Sequence, residues 1–138
     1  MIVDSSALTA VLIGAPDADI FVEAIARQEA PALSAASHVE IAVVVDARRD
    51  PALGRAFGRF LEDSRIAVEA VTPRQAEIAR EACQDFGRGA GHPARPSFGD
   101  GFAYALARDK NQPLLFKGDE FRHTDVEPAA GAKKDVYK

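Results

Sequence analysis

Apolar and polar positions alternate between two kinds of segment along this chain. Ile2-Val3 is a short apolar strand that ends at Asp4. Small and apolar residues run from Ser5 to Ile13, until Gly14-Ala15-Pro16 stops them. Residues 17–28 place Ile20, Phe21, Ala24 and Ile25 at helical spacing. Pro31 to Ser34 reads as a second short strand. Ser37 opens a Val-rich stretch to Arg49, and valine favours strands. Its length, and the Arg48-Arg49 end ahead of Asp50-Pro51, predict a helix instead. Residues 51–64 form another, with Leu53, Phe57, Phe60 and Leu61 on one face.

Ile66 to Val71 alternates as a strand. Thr72-Pro73-x-Gln75 is a helix start, with a capping threonine, proline at the first helical position and glutamine closing a capping box. That helix runs to about Phe86 and stops at Gly87, where a Gly/Pro/Arg loop over 87–96 begins. Ser97 opens a helix through Ala107, Pro113 to Phe116 is a buried-type strand, Gly118 turns, and Asp125 to Glu127 is a last edge strand. Short apolar strands alternating with helices predict an α/β fold with a mainly parallel sheet.

A length of 138 residues suits one domain with a core of its own, here expected over 1–128, with the small, polar and basic residues 129–138 as a tail. The single cysteine, Cys83, rules out an internal disulfide and cysteine-based zinc sites, and beside Ile78, Ala79 and Ala82 it reads as a small buried residue. The start carries no basic segment ahead of an apolar run, and no apolar run approaches a membrane span, so a cytoplasmic protein is expected. The net charge of -4, from 21 acidic and 17 basic residues, argues by itself against a general nucleic-acid binder.

Four acids sit at element boundaries. Asp4 and Asp119 follow strands, and Glu40 and Asp100 lie just inside helices. Ligand sites in open parallel sheets form beyond the carboxyl ends of the strands. Ordinary structural roles fit the same residues. Asp4 before Ser5-Ser6 suits a helix cap, Ser37 to Glu40 and Ser97 to Asp100 suit capping boxes, and Gly118-Asp119 suits a turn. Pattern alone leads to an α/β domain with an acidic, metal-compatible site.

Four segments in order carry a resemblance. They are Met-Ile-Val-Asp4-Ser5-Ser6-Ala7-Leu8, then Ser34-Ala35-Ala36-Ser37-His38-Val39-Glu40, then Phe98-Gly99-Asp100-Gly101-Phe102-Ala103-Tyr104-Ala105-Leu106-Ala107, and last Leu114-Leu115-Phe116-Lys117-Gly118-Asp119-Glu120-Phe121 with Thr124-Asp125. Together, from Met1 to about Pro128, they resemble the PIN-domain ribonucleases, in particular the VapC toxins of bacterial type II toxin–antitoxin pairs. The resemblance implies a three-layer α/β/α sandwich and catalytic acids at Asp4, Glu40, Asp100 and Asp119, with Mg²⁺ or Mn²⁺ as cofactor. Many relatives carry aspartate where this chain has Glu120, which leaves that position a supporting one, and Ser97 stands where asparagine is common.

Carboxylate oxygens are hard ligands suited to such ions, and clustered acids raise one another's pKa values until a cation relieves the repulsion. On that reading Asp4 and Asp100 ligate the metal, and Asp119 does so directly or through water. Glu40 holds a metal-bound water or acts as base, and Ser6 hydrogen-bonds a carboxylate or a phosphate. The ion activates water for in-line attack on a phosphodiester. The resemblance further implies a cognate antitoxin over the groove near the acids, a homodimer as building block, and an RNA substrate. Two other readings stand beside it: a catalytically silent PIN-like binding module, and an aspartyl phosphoryl-transfer enzyme using Asp4. Ser6 stands where the second aspartate of the dehalogenase-like enzymes falls, which counts against the latter.

A metal changes the meaning of the charge. With the four acids set aside, 17 acids balance 17 basic residues. Arg88, Arg95, Lys117 and Arg122, near the predicted rim, are then the RNA-binding candidates.

Overall fold

The computed structural model describes residues 1–86 and 97–129. Among them, four strands and six helices follow one another as β1 (Ile2–Val3), α1 (Ser5–Leu12), α2 (Ala18–Ala26), β2 (Ala32–Ser34), α3 (Ala35–Ala47), α4 (Pro51–Asp63), β3 (Ala67–Glu69), α5 (Pro73–Phe86), α6 (Asp100–Lys110) and β4 (Leu114–Leu115). The strands form one parallel sheet in the order β3-β2-β1-β4. Each crossover carries two helices, long enough to return the chain to the start of the next parallel strand.

Period-two alternation within very short strands sorts the layers. Val3, Leu33 and Leu115 face α1 to α4 and pack with Leu8, Phe21, Ile25, Ile41 and Phe57. Ile2, Ala32 and Leu114 face the other way and pack with Ala103, Leu106, Phe116 and Phe121. The result is the expected three-layer sandwich, with a separate apolar core on each face of the sheet. Helix α6 buries mostly small residues (Gly101, Ala103, Ala105, Ala107) along with Tyr104 and Leu106.

Several boundaries differ from the sequence pattern. Helix α3 starts at Ala35, two residues before the expected Ser37, because Ser34 at the end of β2 supplies the cap by accepting from the Ala36 N–H at 3.3 Å. Ser37 is instead buried inside the first turn. Helix α6 starts at Asp100 rather than Ser97, with residues 98 and 99 in a turn. Thr72 caps α5 as expected, accepting from the Gln75 N–H at 3.2 Å, but the Gln75 side chain turns away to donate to Asp109. Cys83 is exposed, and its neighbour Ala82 takes the buried position. The last edge reduces to a bridge between Leu114 and Pro128, flanked by hydrogen bonds from Leu114 N–H to Glu127 and from Ala129 N–H to Leu114. The expected ending at Gly87, the loop over 87–96 and all of the tail beyond Ala129 lie outside the described residues. No described helix is long and apolar enough to cross a membrane.

The strand order positions the site. From β1 the chain builds outward through β2 to β3, then returns to place β4 on the other side of β1. The crossovers on the two sides of β1 lie on opposite faces, and a crevice opens beyond the carboxyl ends of β1 and β4.

Candidate active site

Asp4 leaves β1 at that crevice, its N–H donating to the Leu115 carbonyl of β4 at 2.9 Å. Its side chain is 1% exposed, and its two oxygens have different duties. Oδ2 accepts from the Ser6 N–H at 3.0 Å and from the Ser6 hydroxyl at 2.5 Å, so it caps α1. Oδ1 is buried and has no hydrogen-bond partner among the described residues. Burial, against the opposing Ser6 bonds and with a smaller contribution from the charge of Asp100, leaves the carboxyl raised to about 6.

Ser6 holds two elements together. Its hydroxyl donates to Asp4 and accepts from the Lys117 N–H, beyond β4, at 3.0 Å. The expected link to a carboxylate is thus present, and it orients Asp4 from the β4 side.

Glu40 lies in the second turn of α3, deeper in the helix than the sequence pattern placed it. It closes no capping box, because Ser34 caps this helix. Its Oε1 is buried without a partner among the described residues. Burial, together with the nearby charges of Asp4 and Asp100, raises its pKa to about 7. Asp100, first residue of α6, does form a reciprocal cap: its Oδ2 accepts from the Ser97 N–H at 2.6 Å, and Ser97 Oγ accepts from the Asp100 N–H at 3.4 Å. Asp4, Glu40 and Asp100 thus act on one another across the crevice.

Asp119 stands apart. It is exposed, pairs with Arg122 at 3.3 Å, and is not among the charges acting on Asp4 or Glu40. Glu120 is exposed, with its carboxylate over Gly118, whose φ of +105° demands glycine. Lys117 lies at the groove with its ammonium 2.9 Å from Asp17. Arg122 is held by Asp119, while Arg88 and Arg95 lie outside the described residues.

Gly99 is a candidate position that the pattern of titratable residues did not flag. A Cβ there would lie 1.9 Å from Glu40 Oε2, so a larger residue would make the Glu40 carboxylate shift. The signal in the sequence is the glycine immediately before Asp100.

Among the described residues no three acids are gathered into a ready-made metal cage. The fit of a cation rests on the two buried, unpartnered oxygens of Asp4 and Glu40, both carboxylates disfavoured in their charged form without a counter-charge. Magnesium is commonly held by one or two carboxylates and its own waters, so this donor set suits it. Beside the acids runs an open groove of ≈ 600 Å³ lined by Ser6, Ile13, Glu40 and the exposed valines 39, 43 and 44.

Comparison with known proteins adds three findings. The family model of the PIN domain matches residues 1–127. Ribonuclease VapC28 of Mycobacterium tuberculosis is 49% identical over 129 residues, covering 94% of this chain and 97% of its own, and Ribonuclease VapC of Mycolicibacterium smegmatis is 42% identical over 126 residues, covering 91% and 97%. Among solved structures, M. tuberculosis VapC20, described as a sarcin-ricin loop cleaving toxin, superposes with a TM-score of 0.72 at 19% identity over 94% of this chain and 98% of that one, a likeness of fold.

Proposed function

The chain belongs to the PIN-domain family, and from that membership we propose that it is a ribonuclease toxin, cutting RNA phosphodiester bonds until a cognate antitoxin neutralises it. The observation that carries this reading is the pair of buried carboxylate oxygens on Asp4 and Glu40, unpartnered and pressed against the charge of Asp100 at the carboxyl end of β1. A site of this kind costs folding energy and has no structural use for that cost.

Asp4 and Asp100 are the proposed ligands of a Mg²⁺ or Mn²⁺ ion, with Asp119 a further one reached directly or through water. Bound there, the ion supplies an activated water and neutralises charge on the phosphoryl oxygens. The protein's own contribution is positional and protolytic. Ser6 locks one oxygen of Asp4 and leaves the other facing the crevice. Glu40, held near neutrality, is able to take a proton at Oε1 at ordinary pH, which suits a general base. Gly99 lets the start of α6 come close to Glu40, so that Asp100 and Glu40 act on each other. Glu120, over the Gly118 turn, supports the Asp119 loop.

The apolar groove beside the acids is the proposed seat of the antitoxin, with a homodimer as building block and the cytoplasm as compartment. Residues 1–128 form the nuclease domain in this proposal, and 129–138 a tail. Lys117, Arg122, Arg88 and Arg95 are proposed to meet the RNA backbone, the first two by exchanging their carboxylate partners for phosphate.

Expression of this chain in cells lacking the antitoxin, followed by sequencing of new RNA ends, tests the reading and names the substrate. Discrete new ends and arrested growth are expected. Normal growth with an unchanged end profile, from a folded and abundant protein, would favour the silent binding module.

Gly99 offers a finer test. Its backbone is right-handed helical, at φ -63° and ψ -36°, so alanine fits the chain but strikes Glu40. Gly99→Ala is expected to lower kcat by roughly 10- to 100-fold while moving the melting temperature little. Unchanged kcat would separate the Glu40 position from catalysis.

A further inference from the structure

Phe98 is 82% exposed, far more than any other large apolar side chain among the described residues. It is also the one aromatic in that exposed set, whose other members are isoleucines and valines. Those aliphatic residues include Ile13, Val39, Val43 and Val44, which line the groove by the acids. Phe98 stands elsewhere, in the turn that leads into α6.

Its place is set by its neighbours. Gly99, one peptide step away (about 3.8 Å between Cα atoms), lies so close to the Glu40 carboxylate that a Cβ would displace it. Asp100 follows directly. Phe98 therefore sits on the segment that carries Gly99 and Asp100 to Glu40. The ring is also oriented: it meets Phe102 perpendicularly with centroids 5.1 Å apart, and its exposure shows that this contact leaves it open to solvent. The reciprocal cap between Ser97 and Asp100 fixes the backbone on either side.

We propose that Phe98 is a stacking platform that takes one nucleobase of single-stranded RNA next to the phosphodiester held at the acids. The inference rests on the ribonuclease reading and deepens it by naming how the substrate is gripped. A positioned aromatic face beside a phosphate-processing site matches the chemistry of unpaired bases, each of which presents a π-face. The acids themselves repel a polyanion, so a stacking contact beside them adds affinity that the cation and the basic residues do not supply. The platform is tolerant of base identity, and it selects single strands over duplexes, whose bases are already stacked. Phe98 is a substrate-positioning residue, with Asp4, Glu40 and Asp100 left to do the chemistry.

The test uses the full chain and short unstructured oligoadenylate and oligouridylate. Phe98→Leu keeps an apolar side chain and removes the π-face. It is expected to raise KM by roughly 5- to 100-fold with kcat and melting temperature nearly unchanged, and Phe98→Tyr is expected to restore KM. The chain contains no tryptophan, so Phe98→Trp introduces a sole indole whose emission reports the site. In an Asp100→Asn background, its fluorescence is expected to be quenched saturably by either oligonucleotide.

Wild-type KM in the Phe98→Leu chain, with no quenching while filter binding shows the RNA bound, would overturn the proposal. So would a Phe98→Leu chain that changes oligomeric mass or antitoxin retention and leaves KM alone, since the ring would then serve a protein partner. Failure of the underlying ribonuclease reading looks different: the unmodified chain would cut no RNA at all.

Discussion

Asp100→Asn and Asp4→Asn chains are expected to cut RNA at least roughly 10²- to 10³-fold more slowly than the unmodified protein, with no recovery in excess Mg²⁺ or Mn²⁺. Asparagine matches aspartate in shape. At position 4 its side-chain oxygen still caps α1 from Ser6, and at position 100 it still accepts from the Ser97 N–H, so the helices keep their starts. The negative charge at the carboxyl end of β1 is what disappears. Glu40→Gln removes a proton acceptor without altering size, and a loss of about 10²- to 10⁴-fold in kcat is expected there. Cleavage rates of a defined RNA, measured on folded proteins with and without chelator, check all three. Undiminished cleavage by both aspartate variants would end the assignment of these acids to the reaction.

Metal-free protein is expected to lose stability as pH rises from about 4 to about 7, and to regain it on adding Mg²⁺ or Mn²⁺. The sign follows from the direction of the shifts. Asp4 is raised from 3.8 to about 6 and Glu40 from 4.5 to about 7 in the folded state. A raised carboxyl binds its proton more tightly when folded. Its contribution is full below the unfolded value and is lost as pH climbs through the folded one. For Asp4, the rise from 3.8 to about 6 corresponds to about 3 kcal/mol. Asp4→Asn cannot ionise, so its melting temperature is expected to stay higher by several degrees near pH 7 and to vary less with pH. A cation at a hundred times its Kd adds about 2.7 kcal/mol to the unmodified protein, and much less to Asp4→Asn. Thermal melts across pH in chelator, and again in metal, read both effects. A flat pH profile for the metal-free protein would refute the electrostatic account of the site.

The sheet and its helices were legible because short apolar runs and helical spacing are local signals. The starts of α3 and α6 were not: Ser34 rather than Ser37 caps α3 because the end of β2 leaves Ser34 in extended backbone, and α6 begins only at Asp100 because residues 98 and 99 form a turn. The site was legible as an ordered set of acids and no further. Sequence set structural and chemical roles for Asp4 against each other, whereas the fold assigns one oxygen to each. Glu40 lost its capping alternative to Ser34, a residue in another element's last position. The separation of Asp119 from the other three, and its pairing with Arg122, depends on the turn at Gly118, whose geometry has no counterpart in residue spacing. Cys83 failed as a buried residue because a helical stretch shows its period but not its phase to better than one position.

The central strand β1 has a partner made long after it. Ile2 and Val3 pair with Leu114 and Leu115, Asp4 donates to Leu115, and Ser6 receives the Lys117 N–H. During synthesis the first acid emerges early, but the strand that walls it and the backbone group that fixes Ser6 are among the later parts of the chain to be made. Contacts of such long sequence separation are slow to form, because loop-closure entropy opposes them. A nascent chain that stops short of Leu114 carries Asp4, Glu40 and Asp100 but neither Asp119 nor the β4 wall of the crevice. The crevice is therefore expected to close only after nearly the whole chain has been made.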